Sequence, residues 1–351
     1  MRCDFEKSLY VTSDGVVQCG PHKGGIVPLF SPDINNLDSF SYVRDCYNGK
    51  PYIEIRRNFF NNKTVHPCCK GCRYFFADKE SAFNDDDYIA SEIDVLKIEP
   101  SYLCQLSCDA CILPQDRTNS KISLRGRGPY LIPVALFRKL IDDLCEAKIT
   151  VQRIHMFSRG ESLLHPQITE LVTYAKKSYP QTPIRMHTNG NINFFRGITK
   201  IDHLIFSIDG SSQEPYKKYR YGGSIEKAFR LISDTVKYKK YHKLTTPFIE
   251  WKYILFDHND SEEEIVRAQK VADELGVDRF VFCLSPTIQR SKKYTSLELI
   301  ERDPLFNLRR DKNLFRTCVL LNNVRENEEK SAKTESKRKR REKENALEGR
   351  R

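Results

Sequence analysis

Methionine and tryptophan are scarce in this chain of 351 residues, three and one respectively, and no apolar run is long. The longest, from Tyr130 to Phe137, is interrupted by Pro133 and falls far short of the ~20 apolar residues a membrane-spanning helix needs. The opening residues Met-Arg-Cys-Asp-Phe-Glu-Lys hold no apolar run either, which argues against a secretory signal. A hydrophobic fraction of 39% is low for a globular chain but well above what disorder would require. These absences predict a soluble, cytoplasmic protein with no membrane partner. Its length suits two domains, or one large barrel with an appendage.

Charge is plentiful but mixed. The net charge of +11 comes from 58 Lys+Arg against 47 Asp+Glu. Residues 325–351 hold 11 basic and 7 acidic residues and almost nothing apolar, so they are expected to form a disordered basic tail. The run Lys337-Arg338-Lys339-Arg340-Arg341 could touch nucleic acid or an acidic partner, although a solvated end is the commoner meaning of such a run. The rest of the chain reads as ordinary mixed surface.

Twelve cysteines without a secretory signal are unlikely to form disulfides, because a reducing compartment keeps thiols free. Clustered cysteines in such a chain point to metal or catalysis. Cys68, Cys69 and Cys72 form one group; Cys104, Cys108 and Cys111 form another. Cys3 and Cys19 lie upstream. Cys46, Cys145, Cys283 and Cys318 are scattered and read as small hydrophobes or free thiols.

From about residue 94 short β-rich runs alternate with amphipathic ones. Strands are predicted at 94–99, 151–157, 184–187, 203–208, 248–256 and 278–283. Helices are predicted at 134–147, 165–178, 225–240 and 261–275, with Ser224 and Ser261 as N-caps and Gly276 as the last stop, plus a helical stub at 192–195. Alternation of this kind argues for a parallel sheet with helical crossovers, here an open, partial barrel of six units. In such barrels the chemistry sits at the C-terminal ends of the strands. Upstream, Leu9–Cys19 reads as a hairpin turned at Asp14-Gly15, and the loop-rich stretch that follows would need a metal staple to hold together. The acidic run Asp85-Asp86-Asp87 reads as a linker to the barrel.

Cys104, Cys108 and Cys111 directly follow the first barrel strand. Their spacing also fits one face of a helix, but Pro100 and Pro114 leave little room for one. A structural zinc site ordinarily takes four ligands in paired spacing. Three thiolates in eight residues suit an iron–sulfur cubane better, with one iron left open.

The segment Leu103-Cys-Gln-Leu-Ser-Cys-Asp-Ala-Cys111 resembles the cluster motif of the radical S-adenosylmethionine (radical SAM) superfamily, and the resemblance runs over about residues 94–283. Ser158-Arg-Gly-Glu-Ser162 is similar to the family's Gly-Gly-Glu-Pro segment, with Arg159 where glycine is usual and Ser162 where proline is usual. His187-Thr-Asn-Gly190 and Phe206-Ser-Ile-Asp-Gly210 resemble its Thr-Asn-Gly and Ser-Ile-Asp-Gly segments. By that likeness Cys104, Cys108 and Cys111 would hold a 4Fe–4S cluster. Gly160, Glu161, Asn189, Ser207 and Arg220 would bind S-adenosylmethionine, with Gly160 and Glu161 near its amino group and Arg220 pairing with its carboxylate. Asn259 and Cys283-Leu284-Ser285 sit where further contacts would fall, with a purely structural role as the alternative.

The N-terminal cysteines resemble a second element, the SPASM or twitch module of one branch of the superfamily. Cys3, Cys19, Cys69 and Cys72 match a four-cysteine auxiliary 4Fe–4S site, with Cys68 as an alternative to Cys69 and structural zinc as an alternative metal. In the family this module usually follows the barrel, whereas here it would precede it. The expected organisation is therefore α/β: a small cysteine-rich iron–sulfur module at 1–80, a partial (βα)6 TIM-like barrel at 90–290, an extension packing on the barrel at 291–324 and the basic tail.

The resemblance implies reductive cleavage of S-adenosylmethionine to methionine and a 5′-deoxyadenosyl radical that takes hydrogen from a substrate, with a flavodoxin or ferredoxin as electron donor. The branch favours a peptide or protein side chain over a small molecule, and no individual catalytic residue is assigned. The loop Arg125-Gly-Arg-Gly128 offers a contact for an acidic substrate, though a solvated loop is its commoner meaning. The alternative from another class is an inactive zinc- or iron–sulfur-binding module that meets nucleic acid or an acidic partner through its tail.

Overall fold

The computed structural model describes residues 2–3, 7–19, 28–60, 75–76, 89–109, 111, 129–285 and 289–307. In chain order it opens with strands β1 (Arg2–Cys3), β2 (Ser8–Val11), β3 (Val17–Gln18) and β4 (Pro28–Phe30), followed by helix α1 (Lys50–Phe60) and strand β5 (Phe75–Phe76). Then come β6 (Glu92–Ile93), β7 (Val95–Ile98), α2 (Val134–Glu146), β8 (Thr150–Val151), β9 (Ile154–Met156), α3 (Ile168–Ser178) and β10 (Ile184–Thr188). The remainder is β11 (His203–Ser207), α4 (Gln213–Tyr219), α5 (Ile225–Tyr241), β12 (Phe248–Leu255), α6 (Glu262–Leu275), β13 (Arg279–Leu284) and α7 (Leu297–Arg302).

Nine strands form one sheet in the order β13-β12-β11-β10-β9-β7-β2-β3-β4. From β13 to β2 every pairing is parallel; only β2–β3 and β3–β4 are antiparallel. The six strands expected from residue 94 onward are those from β7 to β13, with β8 set aside in a short pair with β6. Alternation within each strand explains the layering. Leu96 and Ile98 on β7, Ile154 and Met156 on β9, and Trp251 and Tyr253 on β12 are fully buried and join one hydrophobic core with the helices. The helices meet that face with apolar stripes, such as Leu136, Leu140, Ile141 and Leu144 on α2. Each such side chain contributes about 1.5–3 kcal/mol of burial. The intervening strand residues, Lys97, His155, Arg185, His187, Glu250 and Lys252 among them, turn to the opposite, inner face.

The helix ends agree with the sequence reading. Ser224 Oγ accepts the Lys227 N–H, Ser261 Oγ accepts the Glu264 N–H, and Gly276 closes α6 in the left-handed region at φ 72°. The stub expected at 192–195 is instead a 3₁₀ turn at Arg196–Lys200.

The hairpin at the N-terminus forms as expected, with Val11 opposite Val17. It does not stand apart from the barrel, however. Ser8 to Val11 pair in parallel with Val95 to Ile98, and Leu9 and Val11 are buried in the same core as Leu96 and Ile98. A hydrophobic β2 covers the edge that β7 would otherwise expose. The stretch expected to be loop-rich also holds more order than its Asn-rich composition suggested. Tyr42–Tyr47 forms a turn of π-helix capped by Ser41, its Tyr42 N–H bonded to the buried Asp143 carboxylate at 2.8 Å, and α1 follows. Past β13 the chain returns to the core: Phe306 is fully buried, with ring centroids 4.8 Å from both Phe282 and Tyr294. Cys68, Cys69, Cys72, Asp85–Asp87, Arg125–Gly128, Cys318 and residues 325–351 lie outside the described residues.

Candidate functional site

The C-terminal ends of β7, β9, β10 and β11 lie side by side, and the loops that leave them meet. Chain direction does this: neighbouring parallel strands deliver every following loop to the same edge. From β7 the chain runs through Pro100 into the segment bearing Cys104, Cys108 and Cys111. Cys108 is buried and the other two are half-buried. The Cys111 N–H bonds the Cys108 carbonyl at 3.1 Å, so the last two thiols share one turn.

Three other segments grip this loop. The Leu103 carbonyl accepts the Glu161 N–H at 2.7 Å, and the Ser107 and Asp109 N–H groups bond the carbonyls of Tyr221 and Tyr219 at 3.0 and 3.2 Å. Gly160 lies so close that an added Cβ would stand 2.0 Å from the Ser101 carbonyl oxygen. Glycine at 160 is therefore a requirement of contact. Gln105 reaches across to Asn189 Oδ1 at 3.2 Å and to the Asn191 carbonyl at 3.0 Å.

Glu161 is 2% exposed, and both its oxygens are occupied: Oε1 accepts the Leu163 N–H at 3.2 Å and Oε2 the Asn189 N–H at 2.7 Å. Burial pushes its carboxyl up to about 7, against the pull of those two N–H donors. In this structure the side chain ties the β9 loop to the β10 loop. Ser162, beside it, has a buried hydroxyl with no partner. Arg220 caps the other side. Its Nε bonds the fully buried Asp209 carboxylate at 2.6 Å, and Asp209 is itself fixed by the Ile254 N–H at 2.7 Å. Burial opposes the charge of Arg220, but Asp209 outweighs it and keeps the guanidinium protonated.

Two nitrogens face two sulfurs. Asn189 Nδ2 lies 3.7 Å from Cys104 Sγ, and Arg220 Nη1 lies 3.7 Å from Cys108 Sγ. Burial raises the Cys104 thiol to about 11. Among the described residues no three His, Cys, Asp or Glu side chains are already gathered as a ligand set. The donor chemistry nonetheless fits an iron–sulfur cluster: three thiols on one short loop, with N–H donors directed at two of them, are the groups that bind a cluster and tune it.

The structure thus brings Cys104, Cys108, Gly160, Glu161, Asn189 and Arg220 to one place. Ser207 ends β11 on the inner face, opposite Lys252 in register. Asn259 is spent on structure: it donates to the carbonyls of Asp209 and Ile254 and accepts the Phe256 N–H. Of the candidate auxiliary ligands, β1 pairs with β5 so that Cys3 stands opposite Phe75, three residues past Cys72, while Cys69 and Cys72 lie outside the described residues. Cys19 is half-buried. Sequence reasoning missed Gln105, Asn191 and Asp209. Asn191 accepts the Ser224 N–H at 2.6 Å and donates to the Tyr216 hydroxyl at 2.8 Å. Asp209 lies in a segment whose resemblance was noted, but its pairing with Arg220 was not read from the sequence.

A family model described as the Radical SAM superfamily matches residues 98–250. No curated protein matches the chain. Among solved structures, the chain is similar to TYW1 with a lysine–pyruvate adduct bound, at 14% identity over 53% of this chain and a TM-score of 0.38. It spans 63% of that protein's length. It is also similar to Streptococcus suis SuiB bound to precursor peptide SuiA, at 14% identity over 91% of this chain and 73% of that one, with a TM-score of 0.45. A third is anSMEcpe with bound AdoMet, at 16% identity over 63% of this chain and 61% of that one, with a TM-score of 0.44. Among the described residues no helix is long and apolar enough to cross a membrane.

Proposed function

We propose, from the match of residues 98–250 to the Radical SAM superfamily model, that the chain is an enzyme that cleaves S-adenosylmethionine reductively at a 4Fe–4S cluster and directs the product at a C–H bond of a substrate. The observation that carries this reading is the docking of the Cys104–Cys111 loop on Glu161 and on Tyr219–Tyr221, with Asn189 and Arg220 each 3.7 Å from a sulfur.

When bound, the cluster and S-adenosylmethionine supply a 5′-deoxyadenosyl radical. The protein's part is position and exclusion of water. Cys104, Cys108 and Cys111 would hold the cluster. The Asn189 amide and the Arg220 guanidinium would stabilise negative charge on its sulfurs. Glu161, buried between two loops, keeps Gly160 against the cysteine loop, and Ser207 presents its hydroxyl on the inner face. Arg220, already anchored by Asp209, presents its remaining N–H groups toward the loop, where a carboxylate of the cofactor would find them. An electron donor such as a flavodoxin or ferredoxin is required.

A second cluster is proposed at Cys3, Cys19, Cys69 and Cys72, supported by their types and spacing in the sequence. With it goes the preference for a peptide or protein side chain over a free small molecule.

The test is anaerobic reconstitution with iron and sulfide, then dithionite and S-adenosylmethionine, with 5′-deoxyadenosine read by mass spectrometry. About four irons per chain are expected for one cubane and about eight for two. A Cys104/Cys108/Cys111→Ala variant is expected to lose the nucleoside product. A folded protein that takes up zinc, no iron, and yields no 5′-deoxyadenosine overturns the reading in favour of a metal-stapled binding module.

A further inference from the structure

The candidate site occupies the C-terminal ends of the parallel strands. At the opposite end, where α3 and α5 finish and β10, β11 and β12 begin, the surface is basic. The last turns of α5 place Lys237, Lys240 and Tyr241 on one helix face, at i, i+3 and i+4, and all three are exposed. Lys243 follows in the turn beyond. The 3₁₀ turn at Arg196–Lys200 lies alongside, its Thr199 carbonyl accepting the Thr246 hydroxyl at 2.9 Å. Lys200 Nζ donates to Thr173 Oγ1 on α3 at 2.9 Å, and Lys177 stands one turn further along that helix. Hydrogen bonds thus join three segments into one strip.

The carboxylates around the strip are few and mostly spent. Asp202 pairs with Lys176 at 3.0 Å and Asp278 with Lys239 at 2.8 Å. Among the described residues, Lys177, Lys200, Lys237, Lys240 and Lys243 form no ion pair. Asp234, half-buried one turn before Lys237, is the carboxylate inside the strip. At one border Lys240 Nζ lies 3.8 Å from where a Cβ on Gly276 would stand, which brings Asp273 and Glu274 at the end of α6 close by. Glu274 is 4.0 Å from Lys270. At the other border the Tyr179 hydroxyl bonds the Ile149 carbonyl, and there Lys148 is offset by Glu146. A positive excess remains between these borders.

A helix C-terminus draws cations to its last turn, which accounts for Lys239 and Lys240. It does not account for Lys200 on another segment, nor for Lys243. Lys243 ends α5 in the left-handed region at φ 53°, with its own N–H and that of Leu244 closing on the Lys240 and Lys239 carbonyls. Glycine is usual there, so a charge stands where backbone ease would favour none. Beside it Tyr241 is 84% exposed. A run of rings braces it: Tyr241 to His242 at 4.9 Å, His242 to Tyr238 at 4.2 Å, Tyr238 to Phe194 at 5.2 Å.

We propose that this strip docks single-stranded nucleic acid, the lysines meeting its phosphates and Tyr241 offering a face on which an unpaired base stacks. Cations spread over three segments suit a linear polyanion better than a single phosphate group. A membrane surface fits less well, because Leu244 and Phe248 are only 37% and 38% exposed and one ring alone stands free to insert. The strip lies at the far end from the cysteine loop, so the proposal does not rest on the reaction proposed above.

The test is fluorescence anisotropy of the full chain with labelled single-stranded RNA and DNA of one sequence, about 20 nucleotides long. At least one strand is expected to bind saturably, and more weakly as potassium chloride rises from about 50 to 200 mM. Lys237/Lys240/Lys243→Gln is expected to weaken binding about tenfold or more and to flatten that salt dependence. Tyr241→Ala should weaken it about fivefold or more with the salt dependence unchanged. Lys227→Gln, at the other end of α5, and Lys337/Arg338/Lys339→Gln in the basic run should both bind as the parent does. Should the triple lysine variant fail to fold, as judged by its circular dichroism melt, Tyr241→Ala at an exposed position decides. Absence of saturable binding by both strands overturns the proposal. So does binding lost in the 337–339 variant but kept in both strip variants, which would assign it to the basic run. Lysine-dependent binding to anionic phosphatidylglycerol vesicles, with neither strand bound, overturns it in favour of a membrane surface.

Discussion

A Cβ atom on Gly160 would sit 2.0 Å from the carbonyl oxygen of Ser101 and 2.8 Å from that of Leu103. Neither oxygen belongs to a flexible side chain, so Gly160→Ala must push the cysteine loop away from the β9 loop. The expected cost is about 1–3 kcal/mol of stability, as for other overpacked sites. A lower melting temperature together with fewer irons per chain after reconstitution would bear this out; unchanged iron content would show that the two loops need not touch. At this scale the sequence was legible where chemistry is local. Three cysteines in eight residues, Gly160-Glu161 and Asn189-Gly190 announce themselves by type and spacing. Gln105, Asn191 and Asp209 do not, because their partners lie far along the chain: Gln105 meets Asn189, and Asp209 meets Arg220 and Ile254. Glu161 is an intermediate case. Its place was readable, but not that both its oxygens would be taken by backbone N–H groups.

The helices show how far local rules reach. Ser261 caps α6 through Glu264, three acidic residues fill the first turn, and Gly276 ends the helix in the left-handed region. Ser261→Ala is expected to cost about 1 kcal/mol, since it orphans a backbone donor at the helix start. Urea titration would show it as a lower midpoint with an unchanged slope, whereas a changed slope would point to a wider rearrangement. Helices α1 and α4 and the π-helical turn are not among the elements expected from the sequence. Pro51 in α1 and Pro215 in α4 each fall in the first turn of the helix, where the missing N–H would have had no partner. The π-helical turn at Tyr42–Tyr47 is held from outside, by Asp143 on α2 accepting the Tyr42 N–H, and no local pattern reports that.

At the scale of the whole molecule, one face of the sheet is packed by helices and the other is lined with charge. His155 belongs to the second face. Burial, then the cations Arg185 and Lys97, lower it from 6.5 to about 3. Between those values the unfolded chain binds a proton that the folded one refuses, so stability falls as pH is lowered from about 6.5 toward 3. His155→Phe removes that proton uptake, and its acid limb in a series of thermal melts is expected to be shallower than the parent's. Equal limbs would mean that His155 titrates freely. The other whole-molecule prediction concerns the N-terminus. Leu9 is fully buried in the core that also holds Leu96 and Ile98. Leu9→Ala is therefore expected to cost about 2–5 kcal/mol and to lower the melting of the barrel itself, in one transition. A barrel melt left unchanged would mean that the hairpin is separable. The parallel order of the six strands was legible from alternation; the joining of β2 to β7 was not, because β2 has no helical crossover pattern leading to its neighbour.

That joining has a consequence for how the protein comes into being. Ser8 pairs with Val95, so the strand that leaves the ribosome early has no place to go until β7 has been made. The β7–β13 ladders connect consecutive elements and close over shorter spans, whereas β2 must close the longest loop in the sheet, though each doubling of such a loop costs only about 0.6 kcal/mol. Between Val11 and Val95 the chain carries β3, β4, the π-helical turn and α1, whose Tyr42, Tyr47 and Tyr52 are buried in the same core, so packing as well as the ladder closes this span. β2 precedes β7 in synthesis and depends on it for its place in the sheet.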